Sequence, residues 1–162
     1  MRLLLLAILC MGCAAVRGHA QPVVFLVRHA EKAAQATGDS DNPSLSDLGH
    51  VRAESLRKTL KDAGITAVFA TEFKRTQQTA DAVAITAAIP LIIVPANDTA
   101  ALISKLKQAR GNALVVGHSN TLPEIIKALG VTVPVTVDEN AYDDLFLVVM
   151  SSPPQLVRLH YR

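Results

Sequence analysis

Past its thirteenth residue the chain has no cysteine, and it is poor in aromatics, in net charge and in long apolar runs. Cys10 and Cys13 both fall within the first twenty residues, so a chain starting at Gln21 has no disulfide to form and no thiol to lose. Such a chain is at home in an oxidising compartment. Aromatics are 4% of the residues while 50% are hydrophobic, so the core must be built from aliphatic side chains. Arg2 and Arg17 also lie in the first twenty residues, which leaves 14 of the 16 basic residues to balance 14 acidic ones. A formal charge of zero argues against a nucleic-acid or anionic-membrane surface, since both require a basic excess. The longest apolar start, Leu3 to Leu9, is too short to span a bilayer. No repeat, low-complexity tract or linker divides residues 21–162, and that length suits one domain.

What is present begins with that leader. Met1-Arg2, the apolar stretch, and the small residues of Gly18-His19-Ala20 read as a secretory signal peptide over residues 1–20, cut after Ala20. The mature domain, residues 21–162, is then expected to be secreted or periplasmic and free of the membrane. Gly12-Cys13 offers a lipoprotein site, but Cys10 and Met11 suit the preceding positions poorly, so lipid anchoring ranks second.

The segment Val23-Val24-Phe25-Leu26-Val27 is continuously apolar and mostly β-branched. A strand of that kind is covered on both faces and belongs to a parallel α/β sheet. It stops at Arg28-His29-Ala30-Glu31. Ile65 to Thr71 and Ala113 to Gly117 repeat the pattern, ending in Thr71-Glu72-Phe73-Lys74-Arg75 and in His118. Ligands of open α/β sheets lie beyond the carboxyl ends of the strands, so polar residues gathered there mark a site. Between the strands, Ser46 caps a helix whose buried stripe is Gly49, Ala53, Leu56, Leu60 and Ala63. A second helix runs from Arg75 through Ala80, Val83, Ala84 and Ala87 to Pro90, before a short strand over Leu91 to Val94. A third starts at Asn97-Asp98-Thr99 and packs through Leu102, Ile103 and Leu106. Thr121-Leu122-Pro123-Glu124 has capping-box spacing and opens a helix beside His118 that stops at Gly130. Lys32 to Ser44 is a loop at the mouth of the site, and Val131 to Val137 is an edge strand or an extended loop. Leu145 to Met150 and Gln155 to Tyr161 form a hairpin, which makes one of these strands antiparallel.

Arginine and histidine at a strand end suit phosphoryl transfer. A phosphate monoester dianion repels nucleophiles, so its oxygens must be neutralised while an attacking atom is aligned. The planar fork of Arg28 pairs with two phosphate oxygens at once. A neutral imidazole such as His29 attacks well near pH 7 and forms phosphohistidine, and a protonated His118 would stabilise the charge that develops. Arg75 sits in the first turn of a helix, the unfavourable end of the dipole for a cation, and an anionic partner there explains it. Asn120 either contacts substrate or caps the following helix. His29, Glu31 and His118 show no recognised metal spacing, and Arg28 would repel a cation. No metal or cofactor is called for.

Arg28-His29-Ala30-Glu31, Thr71-Glu72-Phe73-Lys74-Arg75-Thr76-Gln77-Gln78-Thr79-Ala80 and Val116-Gly117-His118-Ser119-Asn120 together resemble the histidine phosphatase superfamily, also called phosphoglycerate mutase-like. Leu45-Ser46-Asp47-Leu48-Gly49 fits the start of its first helix. The resemblance implies a three-layer α/β/α sandwich, its sheet mostly parallel with an antiparallel C-terminal strand. It implies a phosphohydrolase or mutase acting on a small phosphorylated substrate, with His29 as nucleophile and Arg28, Arg75 and His118 as the phosphate pocket. Where some members carry an aspartate after the second histidine to protonate the leaving group, this chain has Ser119. By the pattern of the mutase branch the acid is then Asp98, with Glu72 and Glu31 as alternatives. Three activities remain open: an exported phosphomonoesterase, a protein phosphohistidine phosphatase, and a phosphate-binding module without turnover.

Overall fold

The computed structural model describes residues 21–34 and 42–162. The expected signal peptide and residues 35–41 of the mouth loop lie outside the described residues. Ten elements follow in order: β1 (Val23–Arg28), α1 (Asp47–Leu60), β2 (Ile65–Ala70), α2 (Lys74–Ala87), β3 (Leu91–Ile93), α3 (Thr99–Gln108), β4 (Asn112–Gly117), α4 (Leu122–Ala128), β5 (Asp144–Val149) and β6 (Gln155–His160).

Strand β1 is apolar throughout because both its faces are covered. Val24 and Leu26 pack with Leu102 and Leu106 of α3 and Ile125 and Ile126 of α4. Phe25 and Val27 point the other way, to Leu56 and Leu60 of α1 and Val83 and Ala84 of α2. The result is an α/β/α sandwich. Fully burying one such aliphatic side chain stabilises the fold by roughly 1.5–3 kcal/mol.

The sheet order is β3-β2-β4-β1-β5-β6. Strands β3, β2, β4 and β1 are parallel, β5 runs antiparallel to β1, and β6 runs antiparallel to β5. Strand β4 therefore inserts between β1 and β2, with α4 on one face of the sheet and α1 and α2 on the other. Neighbouring strands whose connections leave to opposite faces open a crevice at their carboxyl ends. Register sets what lines it: Arg28 is paired with Gly117, and Ala70 with Val116. His29, His118 and Thr71 thus follow at one level.

Local details explain several sequence features. The Ser46 hydroxyl accepts from the Gly49 N–H at 3.1 Å, as its position predicts. The Ser46 N–H donates to the Glu31 carbonyl at 2.9 Å, and a Cβ on Gly49 would stand 2.2 Å from that same oxygen. Glycine is required there because α1 starts against the β1 exit. On the far side, the buried Asp144 receives both arms of the Arg158 fork, at 2.8 and 2.7 Å, which ties β6 to β5.

One expectation changes, and one alternative is decided. Thr121 precedes α4, but its side chain makes no helix-capping bond. Its hydroxyl accepts from the His118 N–H at 3.1 Å and donates to the His118 carbonyl at 3.3 Å, so it holds the histidine's backbone and the capping box does not form. Of the two forms expected for residues 131–137 the loop is the one found, since they join no strand of the sheet.

Candidate active site

His29 is the first residue beyond β1 and is 5% exposed. Its Nδ1 lies 2.8 Å from the Ala30 carbonyl oxygen, an acceptor only, so Nδ1 carries the hydrogen and Nε2 keeps the lone pair. Burial, reinforced by the charges of Arg28, His118 and Arg75, lowers its pKa to about 3. The ring is therefore neutral and nucleophilic at neutral pH.

His118 holds the matching position beyond β4, its ring centroid 5.3 Å from that of His29. Burial, then Arg75 and Arg28, lowers its pKa to about 4, while Glu72 pulls the other way. Its Nε2 is 3.2 Å from the Thr71 hydroxyl. Burial and the arginines keep this ring neutral, and a phosphate dianion between the arginines would reverse the field and favour its protonation.

Arg28 is 7% exposed. Its Nη1 donates to the backbone carbonyls of Asp138, at 3.3 Å, and Glu139, and its Cζ stands 4.3 Å from the centre of the Tyr142 ring. Its Nε is buried without a hydrogen-bond partner among the described residues. Arg75, in the first turn of α2, lies 4.4 Å over the Phe73 ring, and burial together with Arg28 pushes its pKa down. Among the described residues neither arginine has a carboxylate within ion-pair distance. Two guanidinium groups that repel one another beside two neutral imidazoles form a hollow whose charge suits an anion.

The run from Arg75 to Ala80 builds this hollow. The Thr76 hydroxyl donates to the Phe73 carbonyl at 2.8 Å and meets the Thr71 hydroxyl at 2.8 Å. Gln77 donates to the Thr71 carbonyl at 3.2 Å, Gln78 accepts from the Leu45 N–H at 2.7 Å, and the Thr79 hydroxyl accepts from the Ala30 N–H at 3.0 Å. Thr76, Gln77, Gln78 and Thr79 thus fasten strand ends and the entry to α1. Burial of Thr76 and Thr79 at 0% exposure costs little because these bonds satisfy them.

Of the site residues expected from sequence, His29, His118, Arg28 and Arg75 come together. Asn120 is exposed in the turn between β4 and α4. Asp98 lines a small cleft with Thr71 and Gly117, but its carboxylate caps α3, accepting from the Ala101 N–H at 2.9 Å. Glu31 is taken up by Arg52, whose Nε lies 2.8 and 2.9 Å from its two oxygens. Glu72 accepts from the Ala96 N–H at 2.8 Å and is the carboxylate whose charge reaches both Arg75 and His118. Sequence reasoning missed roles for Thr71, Phe73 and Tyr142. Thr71 and Phe73 lie inside a motif already noted, whereas Tyr142 carries no local signal.

Residues 24–97 match the model of the histidine phosphatase superfamily (branch 1), from β1 to the approach to α3. Solved structures share the fold through the rest of the chain. The protein histidine phosphatase SixA, in complex with tungstate, is 21% identical, with a TM-score of 0.65 over 85% of this chain and 96% of that one. The alpha-ribazole phosphatase from Shigella flexneri is 19% identical, with a TM-score of 0.65 over 85% and 96%. A mycobacterial glucosyl-3-phosphoglycerate phosphatase is 11% identical, with a TM-score of 0.62 over 88% and 99%. No curated protein matches the chain at the level of sequence. Over those residues the chain is similar to that superfamily, and its fold is the one that these solved structures share.

Proposed function

We propose that the protein is an exported phosphohydrolase that cleaves small phosphomonoesters through a phosphohistidine on His29. The observation that carries the reading is the bond from His29 Nδ1 to the Ala30 carbonyl, which leaves Nε2 free to attack. The phosphate oxygens pair with Arg28, Arg75 and His118, and Asn120 stands at the rim. His29 Nε2 bonds to phosphorus as the bond to the leaving oxygen breaks. That oxygen needs a proton, and Glu72 supplies it in preference to Asp98, because Glu72 acts on the site's charges while Asp98 is engaged in capping α3. Water then attacks the phosphohistidine, giving its proton back to Glu72, and inorganic phosphate leaves.

Export is supported by the leader of residues 1–20 and the absence of cysteine beyond it. Among the described residues no helix is long and apolar enough to cross a membrane. Mass analysis of secreted protein should find a chain that begins at Gln21.

Release of p-nitrophenol from p-nitrophenyl phosphate, with a phosphorylated species trapped in alkali, is the expected behaviour, and His29→Ala should show neither. Equal release by both proteins would refute the nucleophile. Tight phosphate binding without turnover on a broad ester panel would make the chain a binding module.

A second reading, a protein phosphohistidine phosphatase, is favoured by the engagement of Asp98 and Glu31 and by Ser119, which is no acid, directly after His118. A phosphoramidate parts with its imidazole more readily than an ester parts with an alkoxide, so it asks less of an acid. Glu72→Gln separates the two, since it should slow alkyl phosphates by about 10²-fold and leave phosphohistidine nearly untouched.

A further inference from the structure

The chain has only four phenylalanines, two tyrosines and no tryptophan. Phe25, Phe69, Phe146 and Tyr161 are all buried in the core, at 8%, 2%, 1% and 3% exposure. The remaining two, Phe73 and Tyr142, are half-buried, and both stand at the phosphate hollow. The rings of Tyr142, His29, His118 and Phe73 form a row, with centroid separations of 6.4, 5.3 and 5.2 Å. Each end ring carries one of the two guanidinium groups, Arg28 on Tyr142 and Arg75 on Phe73.

Phe73 is not where local structure would put an aromatic, and among the described residues Tyr142 is held by no hydrogen bond of its own. Phe73 occupies the N-cap of α2, a position that favours serine, threonine, aspartate or asparagine, and it makes no side-chain cap bond. Tyr142 ends the loop that precedes β5 and makes no hydrogen bond through its hydroxyl to the described residues. Its loop is fastened to the site by the carbonyls of Asp138 and Glu139 on Arg28. A residue that breaks a local rule and leaves ring surface open at the mouth of a charged hollow is doing something there other than folding the chain. Arginine covers one side of each ring, and the open remainder is a flat, polarisable surface on which a second ring can stack or meet edge to face.

We propose that Tyr142, with Phe73 opposite, determines specificity by selecting phosphoryl donors whose departing group carries a flat ring, as an aryl, benzyl or imidazole group does. This rests on the hydrolase reading for turnover but not for binding. The rings would also help to hold the arginines, and that support affects every phosphate alike, so the ratio between a flat and a non-flat ligand isolates the selectivity.

Calorimetry with phenylphosphonate and cyclohexylphosphonate, matched in bulk and neither hydrolysed, measures that ratio directly. The unaltered protein should bind the phenyl compound about three- to tenfold more tightly. Tyr142→Phe should keep that preference, and Tyr142→Leu should bring the ratio close to one. Should the leucine variant fail to fold, two measurements remain: Tyr142→Met, and the tyrosine emission of the unaltered protein, whose other tyrosine is buried. That emission should respond to phenylphosphonate and not to cyclohexylphosphonate. Equal binding of the two by the unaltered protein, or a preference that survives Tyr142→Leu, would overturn the proposal. Turnover of benzyl phosphate against cyclohexylmethyl phosphate should follow the same order. If neither is hydrolysed while the phosphonate ratio holds, the hydrolase reading fails and the ring selectivity stands.

Discussion

The two arginines of the site are held in different ways. Arg28 is nearly sealed, its Nη1 engaged by two backbone carbonyls about 110 residues away in sequence and its plane set against Tyr142. Arg75 is half-buried, lies over Phe73, two residues before it, and among the described residues has no carbonyl to hold it. One guanidinium is part of the architecture, and it also clips the loop before β5 onto β1. The other is free to adjust to what arrives. A pocket with one fixed and one yielding cation can orient a phosphate and still follow its oxygens as they flatten toward the transition state.

The first test of this contrast is a pair of alanine variants. Both Arg28→Ala and Arg75→Ala should lower kcat/KM on p-nitrophenyl phosphate by about 10²–10³-fold. Only Arg28→Ala should also destabilise the fold, by roughly 1–3 kcal/mol, because two carbonyls lose their donor. Thermal melts of both proteins would erase the distinction if Arg75→Ala fell as far.

Gly49→Ala probes the support beneath the fixed side. The new Cβ would press on the Glu31 carbonyl, two residues beyond His29, so a loss of roughly 1–3 kcal/mol is expected together with weakened turnover. Unchanged stability by urea titration would mean that α1 can shift without disturbing β1.

Acid sharpens the picture for both sides at once. His29 and His118 have folded pKa values of about 3 and about 4, below the ordinary 6.5. Between those values and 6.5 the unfolded chain binds more protons than the folded one, so the empty protein should lose stability as pH falls below 6.5 and keep it above. Below about 3 these two groups should contribute no further slope. Phosphate should flatten the His118 part of the curve, which denaturation at a series of pH values with and without phosphate would reveal.

The smallest effect is expected far from either arginine. Ala88 ends α2 with φ of 54°, a left-handed conformation that costs a side chain. Ala88→Gly should add about 0.5–1 kcal/mol of stability at unchanged activity.

The same contrast divides what was legible in the sequence. The yielding side is local: Thr71, Phe73 and Arg75 fall in one strand–helix junction, within a run from Thr71 to Ala80 that stood out in the sequence as a motif. The fixed side is not. Nothing near Tyr142 announces that it will lie on Arg28, and a lone tyrosine in a polar loop reads as surface. Asp98 illustrates the opposite ambiguity: aspartate before an apolar helical stripe suits an acid or a cap, and the Ala101 N–H shows that it caps. Thr121 had the spacing of a capping box, yet the tight turn after His118 drew its hydroxyl back to the histidine's own backbone.

By itself the sequence determined the strands, since a doubly covered strand must be apolar along its whole length. It also determined that cations and imidazoles follow three of them, since such groups can be solvated only past the strand ends. Tertiary structure alone decided that β4 slips between β1 and β2, bringing the His118 ring centroid to 5.3 Å from that of His29, 89 positions away in the chain. It alone decided that β5 returns beside β1 with Tyr142 at its head. Strand order and loop return depend on how two sheet faces share helices, a packing choice that no window along the chain contains.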